Sequence, residues 1–264
     1  MLIAHISDLH VMPKGQLAYG RVDTAAMLRT TVAQLNRIVP RPDLVLVTGD
    51  LADHGEIDAY AHLREILAGL EIRYLVIGGN HDRAENLRAA FADHSYLPAH
   101  GDFIQYAIDE YPLRIVAADS VVRGRVRGSM CDQRLEWLDR TLGEKPSTPT
   151  LLMMHHAPFI TGLAHSDDLC MERVEELEQV ISRHPQIERI LCGHVHRAVQ
   201  VRFGGTFASS CPSTAHQSSV DLREHGQDMF TLEPPGFQLH RWTNRRLFSY
   251  TLNVGTFEGP FPFH

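Results

Sequence analysis

Lysine and arginine never gather into a run in this chain, and the formal net charge is −7. That argues against a non-specific nucleic-acid binder, which needs a basic footprint to replace phosphate counterions. Cysteine is scarce. The four (Cys131, Cys170, Cys192 and Cys211) are dispersed, with no C-x-x-C pair and no framework spacing. A disulfide-stapled secreted scaffold is therefore not expected, and a reducing cytoplasmic compartment is. No apolar run approaches membrane-spanning length, and the first residues run straight into a strand pattern without a basic leader. Neither a membrane nor a nucleic acid is an expected partner. Acidity does not rule out an anionic substrate, because bound divalent cations make a pocket locally positive whatever the overall sign.

What the chain has in excess is histidine: 17, against 25 lysines and arginines together. Many stand at the ends of apolar runs. Residues 2–6 read as a buried strand ending in Ser7-Asp8, 44–47 as a second ending in Thr48-Gly49-Asp50, and 74–77 as a third ending in Gly78-Gly79-Asn80-His81-Asp82. Helical spacing fills 25–38, stopped by Pro40 and Pro42, and 57–70. This alternation argues for parallel βαβ units. Further along, 103–108 and 113–118 flank a turn, 135–142 and 174–182 read as helices, and 150–154 and 190–192 as strands ending in His155-His156 and Gly193-His194-Val195-His196. The last part, from about 197 to 264, is β-rich, with strands at 199–203, 206–209, 237–242 and 248–252 and a Gly204-Gly205 turn. With no repeat and no low-complexity linker, one domain spanning 1–264 is expected.

Five apolar strands thus end in potential metal ligands: Asp8-x-His10, Asp50, Asn80-His81-Asp82, His155-His156 and His194-x-His196. Ligands of α/β sheets gather beyond the carboxyl ends of strands, so tips far apart in sequence can converge. Mixed Asp, His and Asn ligation suits divalent Zn, Fe, Mn or Co. A carboxylate can bridge two cations where an imidazole cannot, which makes Asp50 the natural shared ligand. Taken singly, each residue could be a turn carboxylate or a chance histidine. Seven such coincidences together are a poor explanation.

The series D-x-H, G-D, G-N-H-D, H, G-H-x-H resembles the calcineurin-like metallophosphoesterase superfamily, with all five blocks in order from Asp8 to His196. The opening M-L-I-A-H-I-S-D-L-H, then Tyr19-Gly20 with Asp23, and Met154-His155-His156-Ala157-Pro158 are similar to the bacterial class III phosphodiesterases, of cyclic-nucleotide and glycerophosphodiesterase types. The resemblance implies an α/β fold, a four-layer αββα sandwich. It implies two divalent metals, from Fe, Mn, Zn or Co, one on Asp8, His10 and His196, the other on Asn80, His155 and His194, with Asp50 between them. His81 would contact the phosphate and protonate the leaving alkoxide, while His216 and Tyr19 would line the substrate pocket. The activity implied is hydrolysis of small phosphodiesters, glycerophosphodiesters or 3′,5′-cyclic nucleotides, by a metal-bound hydroxide, in a homo-oligomer.

Departures narrow the reading. Purple acid phosphatases carry a Tyr three residues after the bridging Asp, where this chain has Asp53. Protein phosphatases read G-D-x-V-D-R-G and G-N-H-E; here stand Gly49-Asp50-Leu51-Ala52-Asp53-His54-Gly55 and Asn80-His81-Asp82. Rival readings are a phosphomonoesterase or nucleotide pyrophosphatase of the same superfamily, a DNA-repair nuclease, and a non-catalytic scaffold. Of the other histidines, His5 is expected in the core and His156 on the face opposite His155. His54, His62, His94, His100, His184, His225, His240 and His264 are expected at the surface.

Overall fold

The computed structural model describes residues 1–167 and 169–263; the surface expectation for His264 lies outside the described residues. In chain order the elements are β1 (Leu2–Ile6), α1 (Thr24–Arg37), β2 (Leu44–Thr48), α2 (Ile57–Leu67), β3 (Tyr74–Ile77) and α3 (Ala84–Ala90), followed by β4 (Tyr106–Ile108), β5 (Arg114–Ala117), α4 (Asp132–Gly143), β6 (Thr150–Met153), α5 (Ala164–Asp167), α6 (Val174–Ser182) and β7 (Ile187–Cys192). The remainder is β8 (Gln200–Phe203), β9 (Thr206–Ser210), β10 (Gln217–Ser218), β11 (Phe230–Thr231), β12 (Gly236–Thr243) and β13 (Arg246–Asn253).

Two sheets form, ordered β13-β12-β1-β2-β3 and β4-β5-β6-β7-β9-β8, while β10 and β11 pair separately. In the first sheet β1, β2 and β3 run parallel, with antiparallel β12 and β13 on the β1 side and β3 at the opposite edge; in the second, β5, β6, β7 and β9 run parallel between antiparallel β4 and β8. The strand β2 (LVLVT) is buried along its whole length, as a parallel strand covered on both faces must be. Its Leu44 and Leu46 join Ile3, Leu75, Ile77, Ile115, Leu151 and Leu191 in a core between the sheets. Its Val45 and Val47 face the other way, onto Leu28, Val32 and Leu35 of α1 and Leu63 and Ile66 of α2. The second sheet buries its outer face against Leu135 and Leu138 of α4 and Leu177 and Ile181 of α6. Helix, sheet, sheet, helix is the four-layer αββα sandwich expected from the sequence.

Local chemistry starts α1 where the sequence suggests. Asp23 caps α1, its Oδ1 accepting from the Ala26 N–H at 2.9 Å. The short α3 escaped the sequence reading because Leu87 is its only buried residue, which leaves no apolar period to find. Three histidines expected at the surface are buried: His62, His184 and His240. Each lies on the core side of its neighbourhood and has a partner there: the Met12 carbonyl for His62 Nδ1, Asp139 for His184 Nε2 and the Ser249 hydroxyl for His240 Nδ1. A supplied partner removes most of the penalty for burying a polar ring. Cys131, Cys170, Cys192 and Cys211 are unpaired. No helix among the described residues is long and apolar enough to cross a membrane.

Candidate metal centre

The parallel strands β1, β2 and β3 of one sheet and β6 and β7 of the other end on the same side of the sandwich. Backbone bonds stitch their tips together. Asp8 N–H donates to Gly49 O (3.1 Å), His10 N–H to Asp50 O (2.9 Å) and Gly193 N–H to His155 O (2.9 Å). The two sheets are joined where His194 N–H donates to the Asp8 carboxylate (2.9 Å to Oδ1) and His155 Nδ1 donates to Thr48 O (2.7 Å).

The chain must turn hard to deliver side chains inward at such short range. Asp8, His10, Asp50, His194 and His196 all have positive φ, between 45° and 70°. Left-handed backbone is uncommon outside glycine and is tolerated where surrounding structure enforces it, often at functional sites. Two glycines make the close approach possible. A Cβ on Gly79 would lie 2.2 Å from Asp50 Oδ1, and one on Gly193 would lie 1.9 Å from Ser7 Oγ.

Two sets of donor atoms result. Asp8, His10, Asp50 and His196 offer atoms within 4.8 Å of one another, all buried, with the Nε2 atoms of His10 and His196 3.1 Å apart. In the second set, Asn80 Oδ1 lies 3.0 Å from His155 Nε2 and 2.9 Å from His194 Nδ1. A single oxygen belongs to both: Asp50 Oδ2 is 3.6 Å from His10 Nε2 and 3.4 Å from His155 Nε2. Its partner Oδ1 accepts from the His81 N–H at 2.9 Å, which fixes the carboxylate's rotation.

Each of the four histidines is also held from behind. His10 Nδ1 lies 2.8 Å from Asp53 Oδ1, His155 Nδ1 2.7 Å from Thr48 O, His194 Nε2 3.0 Å from Leu169 O and His196 Nδ1 3.1 Å from His216 O. Those partners only accept, so each outward nitrogen carries its hydrogen and the inward one is free for positive charge. This is how metal-ligating imidazoles are oriented, and imidazole, carboxylate and amide oxygen together suit divalent transition metals. The Asp53→Asn variant is expected to weaken metal binding about 10- to 100-fold through loss of the His10 anchor. Titration with Mn²⁺ followed by equilibrium dialysis checks this, and an unchanged affinity would remove Asp53 from the centre.

Electrostatics points the same way. Burial pushes the Asp8 carboxyl up to about 6. Burial would do the same at Asp50, but His155, His81 and His10 hold it well below the usual carboxylate range. Burial opposes charge on His155, yet Asp50 and Asp8 raise its pKa to about 9, and burial against Asp53 and Asp50 leaves that of His10 raised as well. By contrast, burial drives His194 down to about 4 and His196 well below its ordinary value. The carboxylates thus hold positive charge at His10 and His155, and a cation binding there displaces those protons.

The other expected residues surround this cluster. His81 Nδ1 donates to Asp53 O at 2.6 Å, leaving Nε2 for a substrate atom, and its ring meets His10 edge-on at 4.7 Å. His216 lies 5.4 Å from His10 and 4.6 Å from His196 between ring centres, its buried Nδ1 without a partner. Tyr19, 55% exposed, stacks edge-on against His216 and tilts onto Phe230. His156, whose side chain was expected on the far face, instead packs 4.7 Å from the His194 ring. Both its nitrogens are satisfied, by Ser120 Oγ and Val126 O, which leaves it a supporting role. Sequence reasoning missed Asp53, Thr48 and Leu169 as anchors. It also missed Asp82 as a clasp, which accepts from the N–H groups of Leu51, Ala52 and Gly79 and from Tyr60 OH. Only the D-x-x-D spacing of Asp50 and Asp53 offered a signal for any of them.

The calcineurin-like phosphoesterase family matches residues 1–198. A probable glycerophosphodiester phosphodiesterase GpdQ of Arcobacter nitrofigilis is 35% identical over 267 residues, covering 100% of this chain and 97% of that relative. The 3′,5′-cyclic adenosine monophosphate phosphodiesterase CpdA of Escherichia coli K12 is 30% identical over 238 residues, covering 89% of this chain and 83% of that one. Among solved structures, purple acid phosphatase PPD1 from yellow lupin seeds superposes with a TM-score of 0.71 at 14% identity, over 96% of this chain and 51% of that one.

Proposed function

The chain belongs to the calcineurin-like phosphoesterase family, and from that premise we propose that it hydrolyses small phosphodiesters at a centre of two divalent metals. The observation that carries this reading is the position of Asp50 Oδ2, 3.6 Å from His10 Nε2 and 3.4 Å from His155 Nε2, between two anchored donor sets. In the proposed assignment Asp8, His10 and His196 hold one ion, Asn80, His155 and His194 the other, and Asp50 is shared. Fe, Mn, Zn and Co all suit these donors. Such ions supply Lewis acidity toward the phosphoryl oxygens and a nucleophile from water at neutral pH.

The chain's own residues supply the rest. Asp53 keeps His10 in one tautomer and, through its carbonyl, keeps His81 turned so that Nε2 remains for the leaving oxygen. With its Nδ1–H held by the Asp53 carbonyl, His81 in its imidazolium form carries a second proton on Nε2, placed to pass to the departing alkoxide and leave a neutral imidazole. His216, with its unpartnered Nδ1, and Tyr19 border the substrate on the opposite side. Glycerophosphodiesters lead as substrates, because the glycerophosphodiesterase relative is matched over nearly its whole length; 3′,5′-cyclic nucleotides follow. The four unpaired thiols support a reducing, cytoplasmic setting. The exposed Phe257, Phe261 and Phe263 beyond β13 support self-association.

Protein loaded with Mn²⁺ or Co²⁺ is expected to turn over bis(p-nitrophenyl) phosphate with a kcat/KM about ten-fold or more above that for p-nitrophenyl phosphate, ~1.4 kcal/mol of differential transition-state binding. A preference for the monoester would replace the diesterase reading with a phosphomonoesterase. A panel of glycerophosphodiesters and cyclic AMP under the same loading then ranks the natural classes.

A further inference from the structure

Beside the metal centre a cavity of about 1220 Å³ opens between α3 and residues 119–126, reaching Asn80 and His81 at its inner end. Its walls are crowded with guanidinium groups: Arg83, Arg88, Arg123, Arg125 and Arg134. Carboxylates line it too, but most are already engaged. Asp53 sits on His10, His54 and His81. Asp82 accepts from three backbone N–H groups and a tyrosine hydroxyl. Asp119 faces Arg134 and accepts from the N–H groups of Ile104 and Val121. Glu85 and Glu172 are paired with Arg123 (3.1 Å) and Arg125 (3.4 Å).

Arg83 and Arg88 have no carboxylate partner among the described residues, against one uncommitted lining carboxylate, Asp102. Arg88 is fixed by donating to the carbonyls of Pro98, Gly101 and Phe103. Arg83 stands two residues from His81, its stem packed over Gly55, where an added Cβ would lie 2.6 Å from Arg83 Cγ. Its exposed guanidinium makes no side-chain hydrogen bond or ion pair among the described residues, which leaves a planar fork suited to phosphate and carboxylate open to the cavity. Arg123 and Arg125 occupy the facing lip in exposed pairs, which are weak enough to open toward a stronger anion.

We infer that this cavity is a second anion subsite, built for phosphodiesters whose alcohol arm carries a further phosphate or carboxylate, and that Arg83 selects them. The inference rests on diester hydrolysis at the neighbouring centre. With the scissile phosphate beside His81, an arm that extends into the cavity passes along the wall to which Arg83 belongs, two residues from His81. A neutral or cationic arm gains nothing from that guanidinium.

The test compares metal-loaded wild type with Arg83→Gln and Arg83→Lys on two matched pairs. Glycerophosphoinositol 4-phosphate against glycerophosphoinositol reads a phosphate arm; glycerophosphoglycerate against glycerophosphoglycerol reads a carboxylate arm. Wild type is expected to favour the charged member of at least one pair. Arg83→Gln should lose about 10- to 100-fold in kcat/KM on that member alone, mostly through KM, and Arg83→Lys should recover part of it. Which pair responds identifies the anion. An equal loss on charged and neutral members, or no loss on either, would overturn the inference. Calorimetric binding of inositol 4-phosphate, which has no scissile diester, reads the subsite without turnover. Binding that weakens in Arg83→Gln while no diester is cleaved would retain the subsite and reject the hydrolase reading. Equal binding by both proteins would place the monoester at the metals and reject the subsite.

Discussion

Asp50→Asn is expected to empty both metal positions at once and to lower diesterase activity on the order of 10⁴-fold, because the nucleophile and the charge neutralisation both depend on the ions. Asparagine is the informative replacement. It tolerates the left-handed backbone that Asp50 adopts, φ 48°, so the fold is not penalised for the change. What it removes is the negative oxygen shared by the His10 and His155 donor sets. Asn80→Ala should behave differently, losing one ion and retaining the other, since the Asn80 Oδ1 hydrogen-bond partners among the described residues are His155 and His194. Metal analysis after dialysis against Mn²⁺ separates the two. Retention of one ion per chain by Asp50→Asn would show that the centres are held independently and that Asp50 is not the bridge.

A single methyl group is expected to do nearly as much damage. In Gly79→Ala the new Cβ would fall 2.2 Å from Asp50 Oδ1, 2.4 Å from Asp50 N and 2.8 Å from His155 Cε1. A side-chain oxygen could rotate away, but the Asp50 backbone nitrogen cannot, so the tips of β2 and β3 must part. Overpacking of this kind costs about 3 kcal/mol at the upper end of its usual range, or a fall in Tm of roughly 6–12 °C for a domain of this size. The parting moves Asp50 and Asn80 relative to each other, so both ions should bind more weakly and activity should drop at least ~100-fold. Differential scanning calorimetry together with metal content reads both effects. An unchanged Tm with full metal loading would mean that the two tips can separate without cost.

Much of the site was legible because its signal is local and repeated. Each ligand follows an apolar strand by one or a few residues, so Asp8, Asp50, Asn80, His155 and His194 could be found one strand at a time. The parallel βαβ units followed from the strand-helix rhythm and the two-sided burial of β2 from its unbroken apolar run, while the order of layers came from the family resemblance. What stayed hidden depends on contacts between distant parts of the chain. That Thr48, Leu169 and His216 offer carbonyls to the back of three histidines leaves no trace in residue type, since any residue has a carbonyl. His62 and His240 read as surface residues because polarity is visible in sequence and partners are not. The cavity walled by α3 and residues 119–126 was equally out of reach, as it joins segments whose spacing carries no periodic pattern.

The left-handed backbone at Asp8, His10, Asp50, His194 and His196 has an evolutionary reading. At each of these five positions glycine would relieve local strain, roughly 1–3 kcal/mol in the sparsely populated regions of φ/ψ space. Mutation therefore meets a standing thermodynamic slope there, downhill toward residues that cannot hold a metal, and selection for catalysis is the force that opposes it. A descendant released from that selection should erode first at these five codons, well before its hydrophobic layers, and end as a more relaxed copy of the same sandwich.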